Sequence, residues 1–355
     1  MNNQAFFNKK TIVTFLLSIL VVMIHVNAFS LYDINTTSIG GRALYCISLV
    51  LESGVTSVAI RLFFLISGVL FYRNYCYRNT LAKYKSRVKS LLVPYLIWCT
   101  LYTFAVILLH YTPLASQFEF DVPFTFKNLI MGIFFNDFYS SFWFIFNLML
   151  FTLFCPVFYT LLKNKWVGAV VILTLIVLYA FGITIPEMIT INGIEYVAFW
   201  RADSIILYMI GAYIGIHFYD WFSKKKDKKF SLACAFIVVL MIVLQTIKEY
   251  ISLSPIINLL SLIVYSLSLW FAFDIFQFDK KPNRIFEYSF MTFALNFYMG
   301  ILIPRLLYYI LPKAPIFALF NFVISSIIIV AVIIGVSYFL DKKLHKIYTT
   351  ITGGR

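Results

Sequence analysis

Two residues stand out because their chemistry does not suit their surroundings. His25 closes one long apolar run, and Arg61 lies inside another, in Val58-Ala59-Ile60-Arg61-Leu62-Phe63-Phe64-Leu65-Ile66-Ser67-Gly68. A histidine titrates near neutrality and suits general-base work. An arginine can stabilise an oxyanion or hold a phosphate. The two types together are compatible with acyl transfer to a hydroxyl. An arginine at the centre of a bilayer costs about 2.5–3.5 kcal/mol on insertion scales, so it needs a reason to be there. Other catalytic signatures are missing from the sequence: there is no His-Glu-x-x-His, no Gly-x-Ser-x-Gly elbow, no P-loop and no carboxylate pair inside an apolar run. Cys46, Cys76, Cys99, Cys155 and Cys234 show neither a Cys-x-x-Cys nor a metal-ligand spacing. They are expected to pack as small apolar residues, and no metal site is expected.

The elements that would position these residues are membrane helices. Of 355 residues, 62% are hydrophobic and 12% charged, against roughly 25% charged in a soluble domain. Apolar runs near the ~20 residues needed to cross a bilayer recur throughout. They predict an all-α, polytopic protein forming one integral-membrane domain over 1–355, with about ten spans at 11–31, 54–72, 90–111, 141–162, 166–184, 203–219, 230–248, 255–275, 286–311 and 316–340. The apolar segments 43–53 and 124–137 are too short to cross and read as interfacial or re-entrant.

The net charge of +14 would suggest nucleic acid in a soluble chain. Here the basic residues gather in alternate connections: Lys9 and Lys10; Arg73 to Lys89; Lys163 and Lys165; Lys224 to Lys229; Lys280 to Arg284; Lys342 to Lys346. Asp33, Glu52, Glu119, Asp121, Asp137, Glu187, Glu195 and Glu249 fall in the others. That is the pattern of cytoplasmic loops and outer loops, so both termini are placed in the cytoplasm and nucleic acid is set aside. The first run exceeds a signal-peptide core and no cleavage site follows it, so it reads as a retained helix.

Counting along these spans at ~1.5 Å per residue puts His25, Arg61, Asn147 and Arg305 at a similar level in the outer third of the membrane, with Asn296 near the middle of its span. Each has a plainer alternative. His25 can hydrogen-bond a neighbouring carbonyl, and Arg61 can reach the outer surface or pair with Glu52. Arg305 can anchor at the interface. Asn147 and Asn296 can join helices, and Trp143 can belong to an aromatic belt. His110, His217 and His345 read as structural, as does a pair between Arg201 and Asp203 at the mouth of the sixth span.

Several segments, in order, resemble the acyltransferase family 3 membrane proteins, which acylate surface sugars. Leu17 to His25 is similar to the family's first span, which ends in a histidine. Arg61 to Phe71 resembles its FFxxSGxLF segment. Tyr84 to Trp98 is similar to its basic approach to span three, and Phe142-Trp143-Phe144-Ile145 with Leu148 and Pro156 to a later span. Gly211-Ala212-Tyr213 and Ser289 to Leu295 resemble parts of the sixth and ninth spans. Thr14, Ser90, Phe146-Asn147 and Asn296 depart from residues that members commonly carry at those positions. The resemblance implies a donor, usually acetyl-CoA, on the cytoplasmic side, and an acceptor hydroxyl on a glycan or lipid-linked glycan at the outer face. It makes His25 the base; residue type and position along the spans add Arg61 beside it and Trp143, Asn147, Asn296 and Arg305 toward the substrate. Arg73, Lys85, Arg87 and Lys89 can hold the coenzyme A phosphates, and the pantetheine arm would carry the thioester toward His25. The expected protein is an O-acetyltransferase of a bacterial inner membrane, in contact with membrane lipid. The alternatives are a transporter or flippase for a lipid-linked sugar, and an inactive relative that supports glycan assembly.

Overall fold

The computed structural model describes residues 3–112, 122–183, 188–191, 194–197 and 201–354. Helix α1 spans Asn3–His25, α2 Ile39–Leu49, α3 Val58–Tyr72, α4 Thr80–Arg87, α5 Val93–His110 and α6 Phe126–Phe135. Helix α7 spans Trp143–Leu153, α8 Cys155–Leu162 and α9 Lys165–Ala180. A short antiparallel hairpin, β1 (Met188–Ile191) and β2 (Ile194–Val197), pairs Met188 with Val197. Then follow α10 (Ala202–His217), α11 (Tyr219–Ser223), α12 (Lys228–Ile247), α13 (Pro255–Ala272), α14 (Ser289–Ile310), α15 (Phe317–Lys343) and α16 (His345–Thr352). Local chemistry sets many of the starts. Asn164 accepts from Trp166 N and Val167 N at the head of α9, and Asp227 from Phe230 N at the head of α12. Pro94 and Pro255 occupy first-turn positions, where the missing N–H has no partner to lose.

Among the described residues, seven helical stretches are long and apolar enough to cross a membrane, and the successive helices α7 and α8 make an eighth when taken together. Pro156 lies at the start of α8, where its ring and missing N–H interrupt the helix. The remaining two predicted spans fall on α9 and α10, apolar helices of 16 residues each. They are shorter than the ~20 residues expected of a full crossing.

Two segments predicted apart from the spans are continuous with them. Ile39–Tyr72 is one 34-residue helical stretch, in which α2 continues through a π-turn at Val50–Val55 toward α3. The segment 43–53 is therefore continuous with the Arg61 helix and not a separate element. Likewise the basic run forms α4 and a π-turn at Val88–Leu92 leading directly into α5. The ten-residue α6 matches the short segment 124–137. Glu119, Asp121 and Glu187 lie outside the described residues.

The chain is organised as two compact units. The first comprises Met1–Tyr77 with Cys155–Ile334, and the second Arg78–Phe154 with Gly335–Arg355. In the first, α1 packs on α14 and α3, α3 on α10, and α12 on α13. Side-chain pairs fix the directions. Phe15 meets Phe286 and His25 meets Phe297, so α1 and α14 run parallel. Arg73 lies over Phe7, so α3 runs opposite to α1. These directions agree with the alternation drawn from the charges.

In the second unit, α6 lies on α5, where Gly132 leaves room for Thr103. The amphipathic α16 closes on the start of α5. Trp98 Nε1 donates to Ile351 O at 3.0 Å. Gly353, at φ +69, sits so close to Ser90 that a Cβ would fall 2.7 Å from its Cα.

Candidate active site

His25 is the last residue of α1, and a proline on another helix decides where that end rests. Pro304 lies inside α14. Having no N–H, it leaves the carbonyl of Gly300 without its i+4 donor. A buried carbonyl must find another partner, and here Asn27 N donates to Gly300 O at 3.2 Å. The approach is possible only because position 300 has no side chain. A Cβ there would lie 2.3 Å from His25 O and 3.1 Å from His25 Cβ. The His25 ring then meets the Phe297 edge at 5.2 Å between centroids. The histidine is thus seated by Gly300, Pro304 and Phe297 of one helix.

Asn296 is one turn before Gly300 on the same face of α14. It is fully buried. Its amide nitrogen donates back to Thr292 O and Phe293 O, and its Oδ1 has no hydrogen-bond partner among the described residues.

Arg61 is held by Asp203 and not by Glu52. Its Nη2 lies 3.1 Å from Asp203 Oδ2, with the two side chains 23% and 10% exposed. Asp203 sits in the first turn of α10, where a carboxylate complements the helix dipole. Ser204 Oγ donates to its other oxygen at 3.1 Å, and Arg201 Nε lies 4.0 Å away. The predicted Arg201–Asp203 pair is therefore the weaker partner of a three-residue cluster.

The pair is set by the close packing of two parallel helices. A Cβ on Gly211 would meet Leu65 O at 2.1 Å, one on Gly68 would meet Tyr208 O at 2.2 Å, and one on Gly215 would meet Val69 O at 2.6 Å. Gly211-x-x-x-Gly215 with Gly68 is the small-residue seam that lets membrane helices approach. The Ser67-Gly68 segment thus aligns Arg61 with Asp203 two turns away.

The equal depth expected for His25 and Arg61 is not kept. At the far end of the unit, Arg73 lies 4.7 Å from the Phe7 ring centre, and Phe6 meets Tyr219 at 5.7 Å. From these anchors, His25 is 18 to 19 residues along α1, Arg61 is 12 back along α3, and Asp203 is 16 back along α10. At about 1.5 Å per residue, Arg61 lies roughly 9–11 Å and Asp203 roughly 3–5 Å nearer that end than His25. A span beginning at Gly54 begins inside the π-turn, and its residue count carries no information on how α3 is offset against α1.

The other predicted residues are distributed as follows. Arg305 is half-buried beside Pro304 on α14. Trp143 and Asn147 belong to the second unit, where Asn147 Nδ2 donates to Trp143 O at 2.8 Å and Asn147 Oδ1 is buried with no hydrogen-bond partner among the described residues. Arg73 donates from Nη1 to Tyr219 Oη at 2.8 Å and stacks on Phe7 and Tyr219. Lys85 and Lys89 are exposed, and Arg87 is half-buried.

Lys9 departs from its expected place in a solvated basic loop. Helix α1 begins at Asn3, so Lys9 is buried within it, 2.7 Å from Asp274 Oδ1 and 4.1 Å above the Trp270 ring centre. Asp274 and the Gly300–Pro304 pair carried no signal by type alone. The signals available were a glycine four residues before a proline inside an apolar run, and an acid at the end of another.

A family model described as an acyltransferase domain, that of the acyltransferase 3 family, matches residues 14–341. The chain belongs to that family. Its membership and its apolar helices make it a multi-pass membrane acyltransferase, and the match runs through both units of the fold. No curated protein and no solved structure matches the chain. In this acyltransferase, the seated His25 lies on α1 and the Arg61–Asp203 pair joins α3 to α10, with α3 packed on both α1 and α10.

Proposed function

We propose that the protein is an O-acetyltransferase of a bacterial inner membrane. It takes an acetyl group from cytoplasmic acetyl-CoA to a hydroxyl of a surface polysaccharide or its lipid-linked precursor. Both termini lie in the cytoplasm in this reading. The observation that carries it is the seat of His25: an acyltransferase chain spends a buried glycine and an interrupted helix to hold one imidazole at a helix end. His25 removes the proton of the acceptor hydroxyl as the oxygen attacks the thioester carbonyl, and the thiolate of coenzyme A leaves. Arg61, held by Asp203, faces the negative charge that develops on the carbonyl oxygen. The offset of Arg61 from His25 lies toward the donor's side, which suits this division. The exposed Lys85 and Lys89, with Arg87 and Arg73, attract the phosphates of the donor. Trp143, Asn147, Asn296 and Arg305 are assigned to the acceptor and acyl groups.

Mass spectrometry of surface glycans from cells with and without the protein tests the reading. Glycan lighter by the mass of one acetyl group per modified residue is expected when the protein is absent. Identical glycan in the two would overturn it.

A further inference from the structure

The carboxylate of Glu52 has lost the partner that its place in the sequence offered, because Arg61 pairs with Asp203. Asp203 and Asp274, the buried carboxylates described in the first unit, are each tied to a cation, Asp274 to Lys9 at 2.7 Å. Glu52 is half-buried in the Ile39–Tyr72 helical stretch, and its carboxylate has neither a hydrogen bond nor an ion pair among the described residues. An ionisable side chain without a partner in an apolar stretch is costly and points to function. The backbone that carries it is a second, independent observation. Glu52 lies in the π-turn Val50–Val55, and single π-turns inside α-helices recur at functional sites. The turn breaks the α-helical bonding pattern, so its carbonyls need other donors. Thr56 Oγ1 donates to Glu52 O, and Tyr265 Oη donates from α13 to Val55 O at 3.4 Å. Gly54 lets the turn rest on α12, where a Cβ would meet Thr246 Oγ1 at 2.4 Å. Three residues thus hold the irregular turn in place, and the carboxylate it carries is the group left unsatisfied. Its level is the third observation. Glu52 is 21 residues back from Arg73, against 18 to 19 along α1 from Phe7 and Phe6 to His25. At about 1.5 Å per residue, Glu52 lies within roughly 5 Å of the level of His25. Helix α1, which ends at His25, packs against the π-turn itself.

We infer that Glu52 is an acceptor-binding residue, whose carboxylate takes vicinal hydroxyls of the sugar ring that is presented to His25. The word acceptor rests on the proposed function, but the binding itself needs neither acetyl-CoA nor turnover. The two carboxylate oxygens accept from two O–H donors at once, and a bond to a charged acceptor is about twice as strong as a neutral one. The hydroxyls supply the donors that Glu52 lacks in the protein. A phosphate or uronate close to the carboxylate would be repelled, so the ring that fits is a neutral sugar.

The test is binding of polysaccharide to the purified, detergent-solubilised protein, read as the half-saturating concentration. The probes are surface polysaccharide from cells lacking the protein, stripped of esters by alkali, and the same material after periodate, which cleaves vicinal diols. The parent should bind the intact polysaccharide and bind the periodate-treated material more weakly. Glu52→Leu should raise the half-saturating concentration by about 10- to 100-fold, the effect of removing hydrogen bonds to a charged group. Its melting temperature should not fall below the parent's, because the substitution removes an unpaired charge. Glu52→Gln, which keeps an acceptor oxygen without the charge, should fall between the two. In membranes, Glu52→Gln should raise the KM for polysaccharide and leave the KM for acetyl-CoA unchanged. No binding by the parent, or equal binding by the parent and Glu52→Leu, would overturn the site. Equal binding of the intact and periodate-treated polysaccharide would overturn the vicinal hydroxyls as its ligand. Binding by the parent without acetyl transfer would overturn the proposed activity and leave the site standing.

Discussion

His25 owes its position to three residues that would attract no notice alone. Pro304 withholds a donor, Gly300 offers the freed carbonyl and the space, and Asn27 N donates to that carbonyl. Gly300→Ala should therefore push the end of α1 away. We expect a stability loss of about 1–3 kcal/mol and a fall in acetyl transfer of about a hundredfold, because small misplacements of a reacting group have that effect. Comparison of melting temperature and turnover checks this, and unchanged turnover would show that His25 does not depend on Gly300. The ion pair gives a second expectation. Asp203→Ala leaves Arg61 charged in a desolvated place and should cost about 3–5 kcal/mol. The double variant Asp203→Ala with Arg61→Met should recover most of the stability and none of the activity. Recovery of both in the double variant would make the pair purely structural.

At the scale of elements, the seam between α3 and α10 decides whether Arg61 reaches Asp203. Gly68→Leu would place a side chain against Tyr208 O and force the helices apart. Stability should fall by about 1–3 kcal/mol or more, and crosslinking between cysteines introduced at positions 61 and 203 should be lost. Crosslinking that persists would mean the seam does not set the pair. The glycines were legible as a family-like segment, but their role was not, because contact between Leu65 and Gly211 joins residues far apart in sequence. The two π-turns, at Val50–Val55 and Val88–Leu92, were illegible for a different reason. Hydropathy marks where a helix leaves the bilayer and not where it stops, so the 43–53 extension reads as a separate interfacial or re-entrant element and the polar α4 as a loop. The sixteen-residue α9 ends at Ala180, short of the predicted 184, whereas α10 keeps within two residues of the predicted 203–219.

Across the whole molecule, the charge alternation agreed with the packing directions of α1, α3, α10 and α14 because both follow from a chain that turns back at each crossing. Lys9 is the exception that charge counting could not detect. Its partner Asp274 is 265 residues away, so it was grouped with solvated lysines. The proposed topology predicts that cysteines placed at 225 and 281 react with an impermeant thiol reagent only from the cytoplasmic side, and a cysteine at 249 only from the outer side. Labelling of 225 and 249 from the same side would break the alternation. The central claim concerns His25, and its most direct test is transfer of labelled acetyl from acetyl-CoA to glycan in membranes holding equal amounts of the parent protein or His25→Ala. The account predicts incorporation by the parent and none above background by the variant; incorporation by His25→Ala at the parent's rate would contradict it.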